Sequence, residues 1–178
     1  MITMPRSDKE GKNEIAEWCR ELEGINKIVD IGAGSGTYAK MFRKLRLFRD
    51  ATLIGIEAWE PYIEEYALKE RYHEVILSDV RKVDFSTIAP FDLVIMGDVL
   101  EHITKEEAIE VVNAVSKFTR YAIISIPIIH YPQDEYEGNP YEVHVKDDWS
   151  HEEVLATFSN FEKMFKGERI GCYLLRFK

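Results

Sequence analysis

Four short apolar runs in this chain each carry an acid at or next to their end. "KIVDI" holds Asp30, "LIGIE" closes on Glu57, "VILSD" on Asp79 and "VIMGD" on Asp98. Carboxylates accept hydrogen bonds from sugar hydroxyls, ring amines or an ammonium group, and they repel phosphate. Directly after Asp30 stand Gly32, Gly34 and Gly36, at every second position of "DIGAGSGT". A glycine turn between a strand and a helix lets a ligand lie against the backbone, where the first helical N–H groups point outward. The spacing departs from two phosphate-binding patterns. G-x-G-x-x-G/A wants a small residue where Thr37 stands, and G-x-x-x-x-G-K-[ST] wants a lysine that does not follow. The expected ligand is a nucleoside without phosphates, with Glu57 accepting both ribose hydroxyls and Asp79 an adenine amine. Each acid singly has a bland role open to it, as a turn cap or a solvated side chain. Four in succession beside a glycine turn are not explained by solvation.

The second set of reactive side chains lies in "IPIIHYPQDEYEGNPYEVHVKDDW", a long polar and aromatic stretch without periodicity. Long loops in compact domains carry function or are disordered. Tyr131, Tyr136, Tyr141 and Trp149 argue for order, because such side chains bury area. Residues 128–149 are therefore read as a loop facing a substrate. A histidine titrating near neutrality is the natural base for an oxygen or nitrogen nucleophile. His144 and His130 are the candidates, with His102 in "LEHI" a weaker one whose alternative role is to orient the following helix. The histidines and acids show no short metal-ligand spacing and no nucleophilic triad, so no metal is expected.

These groups need a scaffold that brings strand ends together. Residues 9–22 have helical spacing of Ile15, Ala16, Trp18, Cys19 and Leu22, with Gly24 as a stop, so residues 1–24 read as an N-terminal helical segment. Strands then alternate with helices: "KIVDI", "TYAKMFRKLRLF", "ATLIGIEA", "PYIEEYALKER" (opening at Pro61), "EVILSDV" and "FDLVIMGDVL". "TKEEAIEVVNAVSKF" starts with a capping box, Thr104 to Glu107, and is followed by the strand "YAIISIPI". "SHEEVLATF" repeats the cap pattern from Ser150, and "FEKMFKGERIGCYLLRFK" reads as a hairpin. Such alternation implies a doubly wound α/β fold: a mostly parallel sheet, helices on both faces, and a C-terminal antiparallel hairpin.

With 178 residues and no linker or repeat, one domain over 1–178 is expected. The formal net charge of -9 argues against nucleic acid as a partner. Cys19 and Cys172 read as buried packing thiols of a reducing compartment. The first residues lack a leader pattern, and no run of about 18 apolar residues occurs, so a cytoplasmic protein without a membrane partner is expected.

Taken together, "VDIGAGSG", "IGIEA", "LSDV" and "FDLVIMGDVLEHI" resemble the successive motifs of class I S-adenosylmethionine-dependent methyltransferases, over residues 27 to about 126. The resemblance implies a seven-stranded Rossmann-like sheet, S-adenosylmethionine as methyl donor and S-adenosylhomocysteine as product. It places Asp30, Gly32, Ala33, Gly34 and Gly36 around the methionine part, Asp30 toward its amino group. Glu57 would hold the ribose, Ala58 and Trp59 would lie near the adenine, and Asp79 with Val80 would meet its edge. Gly97 and Asp98 would border the sulfonium, making Asp98 a catalytic candidate beside His144 and His130. "DVLEHI" resembles the form found in many small-molecule methyltransferases, so a small acceptor methylated on O or N is expected. A protein or RNA acceptor, or a non-catalytic donor-binding subunit, is the alternative. The Asn-Pro-Pro-Tyr/Phe motif of amino-methylating enzymes is absent. Acceptor recognition would fall to the core itself or to a second subunit, as in a homodimer.

Overall fold

The apolar runs that carry the acids become the middle of one sheet. The computed structural model describes residues 8–177; the expectation about a leader in the first residues lies outside them. β1 (Lys27–Ile31), β2 (Thr52–Glu57), β3 (Glu74–Leu77), β4 (Leu93–Gly97) and β5 (Tyr121–Pro127) run parallel. β7 (Ile170–Arg176) joins β5 antiparallel, and β6 (Phe161–Lys166) pairs with it at the edge. The order is β3-β2-β1-β4-β5-β7-β6, the mostly parallel seven-stranded Rossmann-like sheet expected. Chain direction across the sheet reverses between β1 and β4, and ligands of open α/β sheets bind at the carboxyl ends of the strands at such a switch.

A parallel sheet must bury both faces, and alternate residues of each strand divide between two cores. Ile28, Leu93, Ile95, Ile123 and Leu174 pack with α1 (Lys12–Glu21) and α2 (Thr37–Leu45). Val29, Val94, Met96, Ala122 and Leu175 pack with α4 (Lys105–Ser116) and α5 (His151–Thr157). The expected capping box closes: Thr104 Oγ1 accepts from Glu107 N–H while the Glu107 carboxylate accepts from Thr104 N–H. At α5 only half of that pattern forms. Ser150 Oγ accepts from Glu153 N–H, but the Glu153 carboxylate turns to Lys105 and Lys146.

The single helix expected over "PYIEEYALKER" is broken. α3 (Glu60–Glu65) stops early, Ala67 takes a left-handed conformation (φ 49°), and a short 3-10 turn, Leu68–Glu70, follows. That break brings Tyr72 back against β2. Both cysteines are buried and free, as expected. Among the described residues no helix is long and apolar enough to cross a membrane.

Candidate active site

The carboxyl ends of the central strands open into a cavity of about 450 Å³. Its first wall is the turn between β1 and α2. Gly32, Gly34 and Gly36 all have positive φ (69°, 49° and 71°), which is why three glycines occupy this turn. Gly32 and Ala33 N–H both donate to Ile56 O, at 2.9 and 3.0 Å. A Cβ on Gly32 would lie 2.6 Å from Val99 Cγ2, so this position has no room for one. Gly32, Ala33 and Gly34 line the cavity, whereas Gly36 turns toward Arg71 and does not.

Glu57 ends β2 with its carboxylate spanning two turns. Oε2 accepts from Gly34 N–H and Oε1 from Trp59 N–H, each at 2.8 Å. Burial pushes its carboxyl above the usual range. Ala58 lines the cavity beside it; Trp59 does not and serves as the residue before α3.

Asp79 and Val80 line the cavity at the end of β3. The Asp79 carboxylate is forked onto the Arg81 guanidinium, Nε lying 2.9 Å from Oδ1, and it also accepts Arg81 N–H. That pairing holds the Asp79 carboxyl below its ordinary range.

Asp30 is not where the sequence put it. It lies inside β1, and strand parity sends its side chain to the α1–α2 face, where it is 1% exposed and outside the cavity lining. Its register partner in β2 is Gly55. A Cβ on Gly55 would sit 3.1 Å from the Tyr72 ring, so the bare glycine lets that ring lie across the strand. The Tyr72 hydroxyl then donates to Asp30 Oδ2 at 2.5 Å. Burial, opposed by this hydrogen bond, raises the Asp30 carboxyl from 3.8 to about 7. The folded pKa lies above the unfolded one, so the neutral carboxyl favours the fold. That contribution is complete below about pH 3.8 and is lost as pH rises through about 7. Asp30→Asn keeps the group neutral throughout. Urea unfolding near pH 5 and near pH 8 should show wild type losing stability relative to the variant, by on the order of a few kcal/mol. Parallel pH courses would mean that Asp30 titrates in the ordinary range.

Gly97 and Asp98, at the end of β4, line the cavity. Asp98 has φ 57°, uncommon for a non-glycine residue, with its N–H donating to Ser125 O at 2.8 Å and its Oδ1 accepting from Ser125 Oγ at 3.1 Å. Behind it stands Lys12 of α1, which the sequence reading missed. Its Nζ lies 3.0 Å from Tyr38 Oη and 3.7 Å from Asp98 Oδ2. Burial opposes the ammonium charge, but Tyr38 and Asp98 together outweigh it and raise the Lys12 pKa.

Residues 128–149 are ordered, folding back on themselves through Tyr131 N–H to Asp147 O (2.7 Å) and His144 N–H to Gln133 O (2.9 Å). Trp149 anchors the segment in the core, stacked on Phe158. Glu142 ties it to α3, accepting from Tyr62 Oη at 2.9 Å. Tyr131 and Tyr141 line the cavity, and so does His144; Tyr136 and His130 do not. His130 is a correction to the candidate bases: its side chain is 69% exposed and faces Asp147 outside the cavity.

The turn after β4 adds Glu101, which the sequence reading did not select for chemistry, and His102, which it named only as a weaker base. His102 Nδ1 lies 3.1 Å from Val143 O and His144 Nδ1 2.5 Å from Tyr131 O. A carbonyl only accepts, so each Nδ1 carries the proton and each Nε2 keeps its lone pair. Burial lowers both imidazole pKa values, with the neighbouring His102 adding to the effect at His144. The two rings meet edge to face, centroids 4.8 Å apart. The pairing of "EH" with a histidine on a distant loop is visible in sequence only as adjacency, which is why spacing rules passed over it.

The sheet order, the reversed β7 and a cavity walled by a glycine turn and strand-end acids define the Rossmann-like methyltransferase class. The chain belongs to the methyltransferase domain family, whose model matches residues 29–120. No curated protein sequence is significantly similar to it. Among solved structures, the N-terminal domain of EvdMO1 with SAH bound superposes with a TM-score of 0.69 at 14% identity, over 96% of this chain and 82% of that one. A S-adenosylmethionine-dependent methyltransferase from Clostridium acetobutylicum gives 0.69 at 15% identity, over 93% and 89%. The small RNA methyltransferase HEN1 gives 0.70 at 15% identity, over all of this chain and 27% of that one.

Proposed function

We propose that this chain is a single-domain enzyme that moves a methyl group from S-adenosylmethionine to an oxygen or nitrogen of a small-molecule acceptor. The family supports methyl transfer, and similar folds hold the spent donor or the donor itself. The observation that carries the reading is one cavity with two chemically different ends. One end has exposed glycine backbone, Glu57 and Val80; the other has Asp98, His144 and the aromatic loop.

The donor set fits the methyl donor. Close backbone approach at Gly32 to Gly34 suits its flat or slender parts, and the Glu57 carboxylate suits ribose hydroxyls. Asp98 suits the cationic centre, and Val80 offers an apolar edge to a base. When bound, S-adenosylmethionine supplies an electrophilic methyl group on a sulfonium. The chain's own part is to hold the acceptor in line under the 128–149 loop and to accept its proton. His144 Nε2 carries a free lone pair at the cavity wall and is the group assigned to that proton.

Titration with S-adenosylhomocysteine and, separately, with NAD tests the reading; binding of NAD with no affinity for the sulfur nucleoside would sink it. For the acceptor end, His144→Ala is expected to slow transfer about 100-fold, the range of general acid–base contributions. Its S-adenosylhomocysteine affinity should stay unchanged. Normal turnover in that variant would remove His144 from catalysis. The small-acceptor reading draws on Tyr131 and Tyr141 at the cavity wall and on the net charge of -9, which opposes a phosphate backbone.

A further inference from the structure

We propose that Glu101, His102 and His144 form a site for a divalent first-row transition metal at the acceptor end of the cavity. One ligand atom from each of the three residues lies within 4.8 Å of the other two. Donors around an ion at bond lengths of 2.0 to 2.2 Å stand roughly 3 to 3.5 Å apart. Small side-chain rotations therefore close the site without moving the backbone.

Two independent features point to a cation. The first is the hydrogen bonding behind the rings. Both imidazoles donate Nδ1–H to a backbone carbonyl, Val143 O and Tyr131 O, which leaves both Nε2 lone pairs available. Such backing is what orients metal-bound histidines. The second is Glu101. It is 2% exposed, lines the cavity, and its Oε2 has no hydrogen-bond partner. An unpartnered buried carboxylate oxygen is costly, and the packing of the two rings on each other does nothing to satisfy it. An added cation would engage that oxygen and both Nε2 lone pairs at once.

Two imidazoles and one carboxylate suit Zn²⁺, Mn²⁺, Fe²⁺ or Co²⁺ and leave coordination positions open. Glu101, His102 and His144 all border the cavity, so an acceptor hydroxyl could take an open position. This use of the ion rests on the methyltransferase reading and narrows it to an oxygen acceptor. The ion would lower the hydroxyl pKa. The O–H proton passes to solvent water and the oxygen keeps its electron pair. That pair forms the new C–O bond as the C–S bond breaks, and the electrons of the latter stay on sulfur. His144 then acts as a ligand, and the proton goes to water instead of to its ring.

The test uses the whole chain freed of metal with EDTA and titrated with cobalt chloride, followed by the visible absorption of bound Co²⁺. One equivalent should bind, with zinc chloride displacing it. Glu101→Ala, His102→Ala and His144→Ala should each weaken binding at least 10-fold, and His130→Ala, outside the cavity, should leave it intact. No cobalt spectrum in wild type overturns the proposal without recourse to any variant that fails to fold. Binding that survives all three cavity substitutions overturns it as well. S-adenosylhomocysteine titration of the same metal-free sample separates the two readings. Nucleoside binding without cobalt binding removes the metal site alone, whereas cobalt binding without nucleoside affinity supports the site and removes the methyltransferase reading.

Discussion

Replacing Glu57 with alanine is expected to weaken S-adenosylhomocysteine binding by about 2 to 3 kcal/mol, roughly 30- to 150-fold, in isothermal titration. Two losses combine. In the proposed donor site the carboxylate accepts the ribose hydroxyls, and hydrogen bonds to a charged acceptor are the stronger kind. The same oxygens hold Gly34 N–H and Trp59 N–H at 2.8 Å, so removing them also frees the glycine turn from the end of β2. The two half-buried N–H groups would then lack their partner, which lowers stability as well as affinity. Glu57→Gln keeps one carbonyl oxygen but turns an amide N–H₂ toward one of those donors. It should fall between wild type and alanine. Wild-type affinity in the alanine variant would mean that the ribose lies elsewhere.

Gly97→Ala should destabilise the fold by about 1 to 3 kcal/mol, the range for overpacking a filled core. A Cβ on Gly97 would lie 2.2 Å from Tyr38 Cε2 and 2.6 Å from Tyr38 Oη. The Tyr38 ring is buried against Phe42, and its hydroxyl accepts from Lys12 Nζ at 3.0 Å, so it has nowhere to swing without breaking that bond. Lys12 in turn stands 3.7 Å from Asp98, and the disturbance should reach the cavity wall as weaker nucleoside binding. Tyr38→Phe should not rescue the variant, because a ring carbon is the nearer atom. Tyr38→Leu, which removes the ring, should recover part of the lost stability. Thermal melting of the single and double variants reads this directly, and an unchanged midpoint for Gly97→Ala would show that the ring has room.

The position of Asp30 shows where sequence reasoning stops. The glycines after it were legible because positive φ at three alternate positions is a demand of the local backbone. The direction of the Asp30 side chain was not local. It depended on strand parity and on the register that sets it beside Gly55, and then on a break at Ala67 that returns Tyr72 to cover the pair. His130 and His144 were both candidates in the loop sequence, His144 the stronger. Backbone pairing of Tyr131 with Asp147 and of His144 with Gln133 decided which one faces the cavity.

The sequence by itself determined the alternation of strands and helices, the capped start of α4, the glycine turn and the run of strand-end acids. Each of these is written in neighbouring residues, through periodicity, turn chemistry and capping. Tertiary structure alone decided that Lys12 reaches Asp98 and that His144 meets Glu101 and His102. Those meetings join residues from separate elements, and packing of two helical layers on a twisted sheet sets their distances, which no local spacing encodes.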